Sequence, residues 1–223
     1  MVKEAMEHFE IAIKHDGRLI ESMNRLALLL KDRGKEDEAL AWLQRCIEVQ
    51  PTYCRARRNI GLIHERNGRK EQALAIWLET VQYDPNDTST WLNIGILVRD
   101  VLNDPERALQ YFENAIAVDS CNTFAIHALA NSYSSRGVFT IARMLLEQCV
   151  TASPETFKHH RDLAVLLHEK MRCVDAAKRE YIEALKCGAS VTDWNILRTK
   201  MEAMLCAAPY KMSKAEAAAY IMA

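Results

Sequence analysis

Thr88–Leu102 reads TSTWLNIGILVRDVL. Its apolar residues recur at the three- and four-residue intervals of a helix. Gly95 nevertheless stands near the middle, where glycine costs about 1 kcal/mol relative to alanine. Counting outward from Gly95, small residues stand at Ala27, Gly61, Ala130 and Ala164, so the series runs in steps of 34, 34, 35 and 34. A second series, Ala5, Ala39, Ala73, Ala108, Ala142 and Ala177, keeps the same steps. So does a third, made of residues that break the chain: Gly17, Pro51, Pro85, Ser120, Pro154 and Ala189. Three series in one register make the chain a tandem repeat.

Each unit has the same grammar. A first helix carries a bulky residue four positions before its small one (Met23, Trp91, Ile126) and another three after it (Leu30, His64, Val98, Tyr133, Leu167). A polar turn follows, with glycine at Gly34, Gly68 or Gly137, the usual means of ending a helix. The second helix places a large residue four beyond its alanine (Phe9, Leu43, Trp77, Phe112, Leu146, Tyr181). A smaller one comes three later (Ala12, Cys46, Thr80, Ala115, Cys149, Ala184), which keeps all of them on one face. Two antiparallel helices approach closely only where a side chain is small, and the Gly95 and Ala108 series provide those places.

This pattern, carried by Trp91–Gly95, Ala108, Phe112, Ala115 and their counterparts, resembles the tetratricopeptide repeat. Arg57 and His160 depart from it, standing where a large apolar residue is usual, and Gly17, Ser120 and Ala189 replace the closing proline. The two longer steps predict one-residue insertions in the turns at Asn103-Asp104-Pro105 and near Cys173. The resemblance implies an all-α, right-handed superhelical solenoid of antiparallel helix pairs with a C-terminal capping helix. The expected divisions are a partial repeat over 1–19, repeats over 20–53, 54–87, 88–122, 123–156 and 157–191, and capping helices over 192–223. The chain opens on a second helix, 3–15, whose apolar face (Ala5, Phe9, Ala12) lacks an upstream partner, as expected of a fragment of a longer array or of a cap. A closing helix over 193–208 sets Trp194, Leu197, Met201, Met204 and Leu205 on one face. Pro209 stops it, and Ser213 with Glu216 then has the spacing of a capping box opening a helix to about Ile221.

Bulk properties narrow the function. A net charge of −1 offers no basic field for nucleic acid, and hydrophobic and charged contents of 49% and 26% are those of a folded soluble protein. No apolar run is long enough to span a bilayer, and the N-terminus mixes charges through its length, unlike a secretory signal. Seven cysteines without a Cys-x-x-Cys pair fit neither a disulfide framework nor a zinc site, which suggests a reducing, cytoplasmic compartment. Cys46 and Cys149 fall in the core series and are expected to be inert. His159, His160 and His168 lack the i, i+4 spacing of a metal site and are expected to be solvated or groove side chains. No cofactor, metal or catalytic constellation is indicated.

The resemblance further implies a concave wall lined by first helices. Inward positions are then Asn24, Arg25 and Leu28; Arg55, Arg58, Asn59 and Leu62; Leu92, Asn93 and Ile96; Phe124, His127 and Asn131; and Lys158, Arg161, Asp162 and Val165. Such a wall suits a peptide or helix of a partner protein, with amides for its backbone, apolar spots for its side chains and arginines for its carboxylates. Asn59 and Asn93, at one position in successive repeats, resemble the asparagine ladder of O-GlcNAc transferase, or are simply common there. Arg55, Arg57 and Arg58 either hold an acidic segment or form a solvated face pairing with Glu48 and Glu65. The carboxylate clamp of chaperone-adaptor members is not matched: Asn24 and Leu28 stand at its lysine and first asparagine, and Ser89 and Asn93 where basic residues are needed. The expected function is a non-enzymatic adaptor or assembly scaffold, alone or within a multi-protein complex. Alternatives are a substrate-recruiting domain of a larger glycosyltransferase and a scaffold that self-associates, as a homo-oligomer, through the N-terminal helix.

Overall fold

The computed structural model describes residues 2–188, 190–207 and 210–222, so the expectations placed on Ala189 and Pro209 lie outside the described residues. Among the described residues all regular structure is helical. The chain divides into two compact units, Met1–Ser120 and Cys121–Ala223. The first holds α1 (Val2–His15), α2 (Ile20–Asp32), α3 (Glu36–Val49), α4 (Cys54–Arg66), α5 (Lys70–Tyr83), α6 (Thr88–Asp100) and α7 (Pro105–Val118). In it α2 packs on α3, α4 on α5 and α6 on α7, while α1 lies on α2, α3 on α4 and α5 on α6. The second holds α8 (Thr123–Ser135), α9 (Phe139–Ala152), α10 (Phe157–Val165), α11 (Val174–Lys186), α12 (Val191–Cys206) and α13 (Lys214–Met222). Its pairs are α8 with α9, α10 with α11 and α12 with α13, joined by α9 on α10 and α11 on α12. Each unit is thus an all-α stack of helix pairs in chain order, the solenoid fold expected from the repeat.

The glycine in the opening stretch is explained by what faces it. A Cβ built on Gly95 would lie 2.4 Å from Phe112 Cε1, and one on Gly61 would lie 2.1 Å from Trp77 Nε1. In these two pairs the first helix therefore rests its backbone on the ring of the second. The other pairs set alanine at this place, Ala27 and Ala130, and there the second helix carries Leu43 and Leu146 instead of a ring. All of these side chains are buried. Small and large residues thus vary together along one chain: glycine opposite an aromatic ring, alanine opposite leucine. The pair Ala164 and Tyr181 departs from this rule, and it belongs to the repeat whose first helix ends in a π-turn, Leu166–Lys170. Full burial of a side chain of this size contributes roughly 1.5–3 kcal/mol, more than the helical penalty of one glycine.

The turns between paired helices share one left-handed residue. Gly34, Gly68 and Gly137 have φ of 76°, 74° and 80°, and Asn103 and Arg172 stand at the same place with φ of 52° and 58°. In the three glycine turns the next N–H returns to a carbonyl five residues back, as from Lys35 to Leu30 (3.0 Å), which satisfies an open helix end. In the other two the loop is one residue larger: Asp104 N donates to Val98 O (3.1 Å) and Cys173 N to Leu167 O (2.8 Å). The extra residues therefore sit slightly earlier than expected. They are absorbed in the last turn of the first helix, where Leu102 N reaches back to Leu97 O (3.3 Å), and in the π-turn. Helix starts are fixed where the sequence offers a cap. Asp87, Asp104 and Asn122 accept from the N–H of Thr90, Arg107 and Ala125.

The end elements follow expectation. On α1, Met6 and Ile13 are buried against unit 1, whereas Ala5, Phe9 and Ala12 are half-buried and Ile11 is 52% exposed. On α12, Leu197, Met201, Met204 and Leu205 are buried and Trp194 is half-buried beneath Arg198. Ser213 and Glu216 form the expected box: Glu216 Oε2 accepts from Ser213 N (2.8 Å), and Ser213 Oγ accepts from Glu216 N (3.3 Å).

Candidate functional site: the exposed face of the first helices

The two residues that break the repeat pattern keep one of its bonds. Trp91 Nε1 donates to Pro85 O (2.8 Å), Arg57 Nε to Pro51 O (3.1 Å), and His160 Nε2 lies 2.8 Å from Pro154 O. Three different side chains at one repeat position thus tie a first helix to the proline that precedes it. Arg57 and His160 spend their other nitrogens on the second helix of their own pair, Arg57 on Glu79 (2.8 Å) and His160 on Glu180 (2.7 Å). Both are buried, as is His159. The expectation of solvated histidines is therefore corrected at His159 and His160, while His168 is half-buried with Nδ1 3.3 Å from Tyr181 Oη.

In unit 1 the candidate groove residues separate into two groups. Asn24 and Asn59 are buried and bonded to each other, Asn59 Nδ2 donating to Asn24 Oδ1 at 2.8 Å. Their amides serve the joint between α2 and α4, so the reading of Asn59 as a ligand-facing rung is corrected. The arginines are also engaged, and not with Glu48 or Glu65. Arg25 and Arg55 converge on Glu21 (3.1 and 3.6 Å), and Tyr53 donates its hydroxyl to the same carboxylate (2.6 Å). That hydroxyl, followed by the two arginines, holds the Glu21 carboxyl below its ordinary range. Arg58 pairs through one nitrogen with both oxygens of Asp87 (2.7 and 2.8 Å), the residue that caps α6. What remains uncommitted is mostly apolar: Leu28, Leu62 and Ile96, at one position of three successive first helices, with Leu92 and Asn93 beside them, all half-buried.

In unit 2 the corresponding face is more polar and more interlocked. Phe124 is 71% exposed and Lys158 is exposed, while Asn131, Arg161 and Val165 are half-buried. His127 is buried, with Nε2 2.7 Å from Asp162 Oδ2 and Nδ1 3.5 Å from Asn131 Nδ2. Arg161 donates to the other oxygen of Asp162 (2.7 Å) and lies over the Phe157 ring. Burial works to raise the Asp162 carboxyl, but the bonds from His127 and Arg161 outweigh it and the group is held below its ordinary range. The His127–Asp162 contact occupies the same two repeat positions as Asn24–Asn59. The repeat register assigned all four residues to one face and gave no sign that they pair. The signal available was their spacing, one repeat plus one residue in both cases.

The cysteines offer no nucleophile in these places. Cys46 and Cys149 are buried, each donating to the carbonyl that opens its own pair, at Ile20 (3.6 Å) and Thr123 (3.5 Å). Burial pushes both thiols up to about 11. Among the described residues no group of three histidine, cysteine or acidic side chains is placed to hold a metal ion. No described helix is long and apolar enough to cross a membrane.

Comparison with known proteins agrees with the hairpin geometry. Residues 19–50 match the tetratricopeptide repeat family. The Photosystem I assembly protein Ycf3 of Synechococcus is 28% identical over 109 residues, 40% of this chain and 63% of that protein. A UDP-N-acetylglucosamine–peptide N-acetylglucosaminyltransferase of Giardia intestinalis is 26% identical over 137 residues, 61% of this chain and 9% of the enzyme. The chain thus spans less than two thirds of the length of either relative. The crystal structure of YrrB, described as a TPR protein with an unusual peptide-binding site, superposes with a TM-score of 0.63 over 87% of this chain and 98% of YrrB, at 16% identity. The matched repeat at residues 19–50 and the stacked helix pairs give this chain the tetratricopeptide-like fold.

Proposed function

We propose that the chain is a non-enzymatic protein-interaction module that receives a segment of a partner protein on the exposed face of its first helices, as an adaptor or assembly scaffold. The observation that carries this reading is the stripe of Leu28, Leu62 and Ile96 in unit 1. These side chains are half-buried and aligned, while the charges around them are already paired. An uncommitted apolar stripe bordered by neutralised ion pairs favours a partner that presents aliphatic side chains over one that presents carboxylates. The peptide-binding site named for YrrB and the assembly role named for Ycf3 support the same class. The likeness to a glycosyltransferase supports a recruiting domain less well, because Asn59 is spent on Asn24 and one rung is lost.

The test is affinity capture with wild type beside a variant carrying Leu62→Gln and Ile96→Gln. The same position holds Asn131 in another repeat, so a polar side chain is compatible with the helix there. Partner proteins captured by wild type are expected to fall away from the variant at unchanged helicity. Their retention moves the site elsewhere. Arg58→Glu is unsuitable for this purpose, because it would set a second carboxylate against Asp87 and damage the start of α6.

A further inference from the structure

Unit 2 contains a buried cluster that the interaction reading does not use. The rings of His127 on α8 and His159 on α10 lie 5.3 Å apart, tilted by 37°. Both are buried, and Nδ1 of His159 has no hydrogen-bond partner. Nε2 of His127 lies 2.7 Å from Asp162 Oδ2, and its Nδ1 3.5 Å from the Asn131 amide nitrogen. A proton taken up at Nδ1 of His159 would sit on a buried atom without an acceptor, against a second imidazole.

We propose that the His127–His159 contact is an acid-sensitive latch between α8 and α10, holding the two helices together while His159 is neutral and releasing them when it takes up a proton. Several groups act on His159. Burial and His127 from α8 hold its proton affinity below the ordinary value. The Cys149 and Ser153 backbone of the α9 segment and the Asp162 charge of α10 act in the opposite direction without reversing it. The direction of the effect follows. Below about pH 6.5 an exposed imidazole binds a proton that the folded ring refuses, so the latch loses stability as pH falls. Loss of the Asp162 charge lies lower, below the ordinary carboxyl value of 3.8, because that group is depressed. The equivalent joint in unit 1, Asn24–Asn59, has nothing to titrate.

Hydrogen exchange of the full chain, corrected for intrinsic rates and followed from about pH 7.5 to pH 5, tests the latch. Opening of α8 and α10 is expected to increase on acidification by up to about tenfold per pH unit, the limit for one proton. Protection that stays level or increases would overturn the proposal. His159→Leu should remove the slope. A slope that persists assigns it to another group, such as His168 at the far end of the same helical segment, and also overturns the latch. Should that variant fail to fold, the imidazole of His159 followed by NMR in wild type decides. A midpoint below 6.5 is expected, and one at or above it contradicts the mechanism.

Discussion

At the level of single residues, shape decides more than helix propensity. Gly61 and Gly95 are poor helix formers kept where a ring of the opposite helix would meet a Cβ within 2.1 and 2.4 Å. Gly61→Ala and Gly95→Ala are therefore expected to destabilise by about 1–3 kcal/mol, although alanine is the better helix former. Gly34→Ala probes a different property: nothing lies within 4 Å of its Cβ, and the cost comes from φ of 76° alone, about 1 kcal/mol. Urea unfolding separates the cases, since a stabilised Gly61→Ala would leave the ring contact without effect. This scale was the most legible in the sequence. The Gly95 series announced a close approach because nothing else justifies a glycine inside an apolar helix. What faced each glycine became clear only once the rings were placed.

Among the elements, the turns show how an insertion is tolerated. Each of the five turns from α2–α3 to α10–α11 needs one left-handed residue, and the two enlarged ones fill it with Asn103 and Arg172. Asparagine tolerates that region, while an ordinary side chain pays about 1–2 kcal/mol there. Arg172→Gly is accordingly expected to stabilise unit 2 by about 0.5–1 kcal/mol after the entropy of glycine in the unfolded chain is deducted, and Asn103→Gly to do less. Thermal melts of the two variants give the comparison, and a lower melting temperature for Arg172→Gly would remove the strain argument. The sequence showed two longer steps but put the extra residues in the turns. Their real positions, a loosened last turn in α6 and a π-turn after α10, depend on backbone bonding that side-chain periodicity does not record.

For the molecule as a whole, the sequence disclosed the order of hairpins and the closing helices. It did not disclose which side chains of the candidate face were already taken. Asn24, Asn59, His127 and Asp162 pair across neighbouring repeats, and Glu21 gathers two arginines and a tyrosine, so a wall that read as cationic and amide-rich is largely self-satisfied. Light scattering over a range of concentrations tests what the exposed flank of α1 does: a strictly monomeric chain is expected if Ile11 and its neighbours belong to ordinary surface, and concentration-dependent growth would favour self-association. Beneath all of this lies the closing of each hairpin over a small residue matched to a large one. A double-mutant cycle on the full chain measures that match directly, with Gly61→Ala, Trp77→Leu and the two combined, which turns one hairpin into the pairing that Ala27 and Leu43 already use. The alanine is expected to be costly opposite tryptophan and nearly harmless opposite leucine, a coupling of about 1 kcal/mol or more. Costs that simply add, within about 0.3–0.5 kcal/mol, would contradict it.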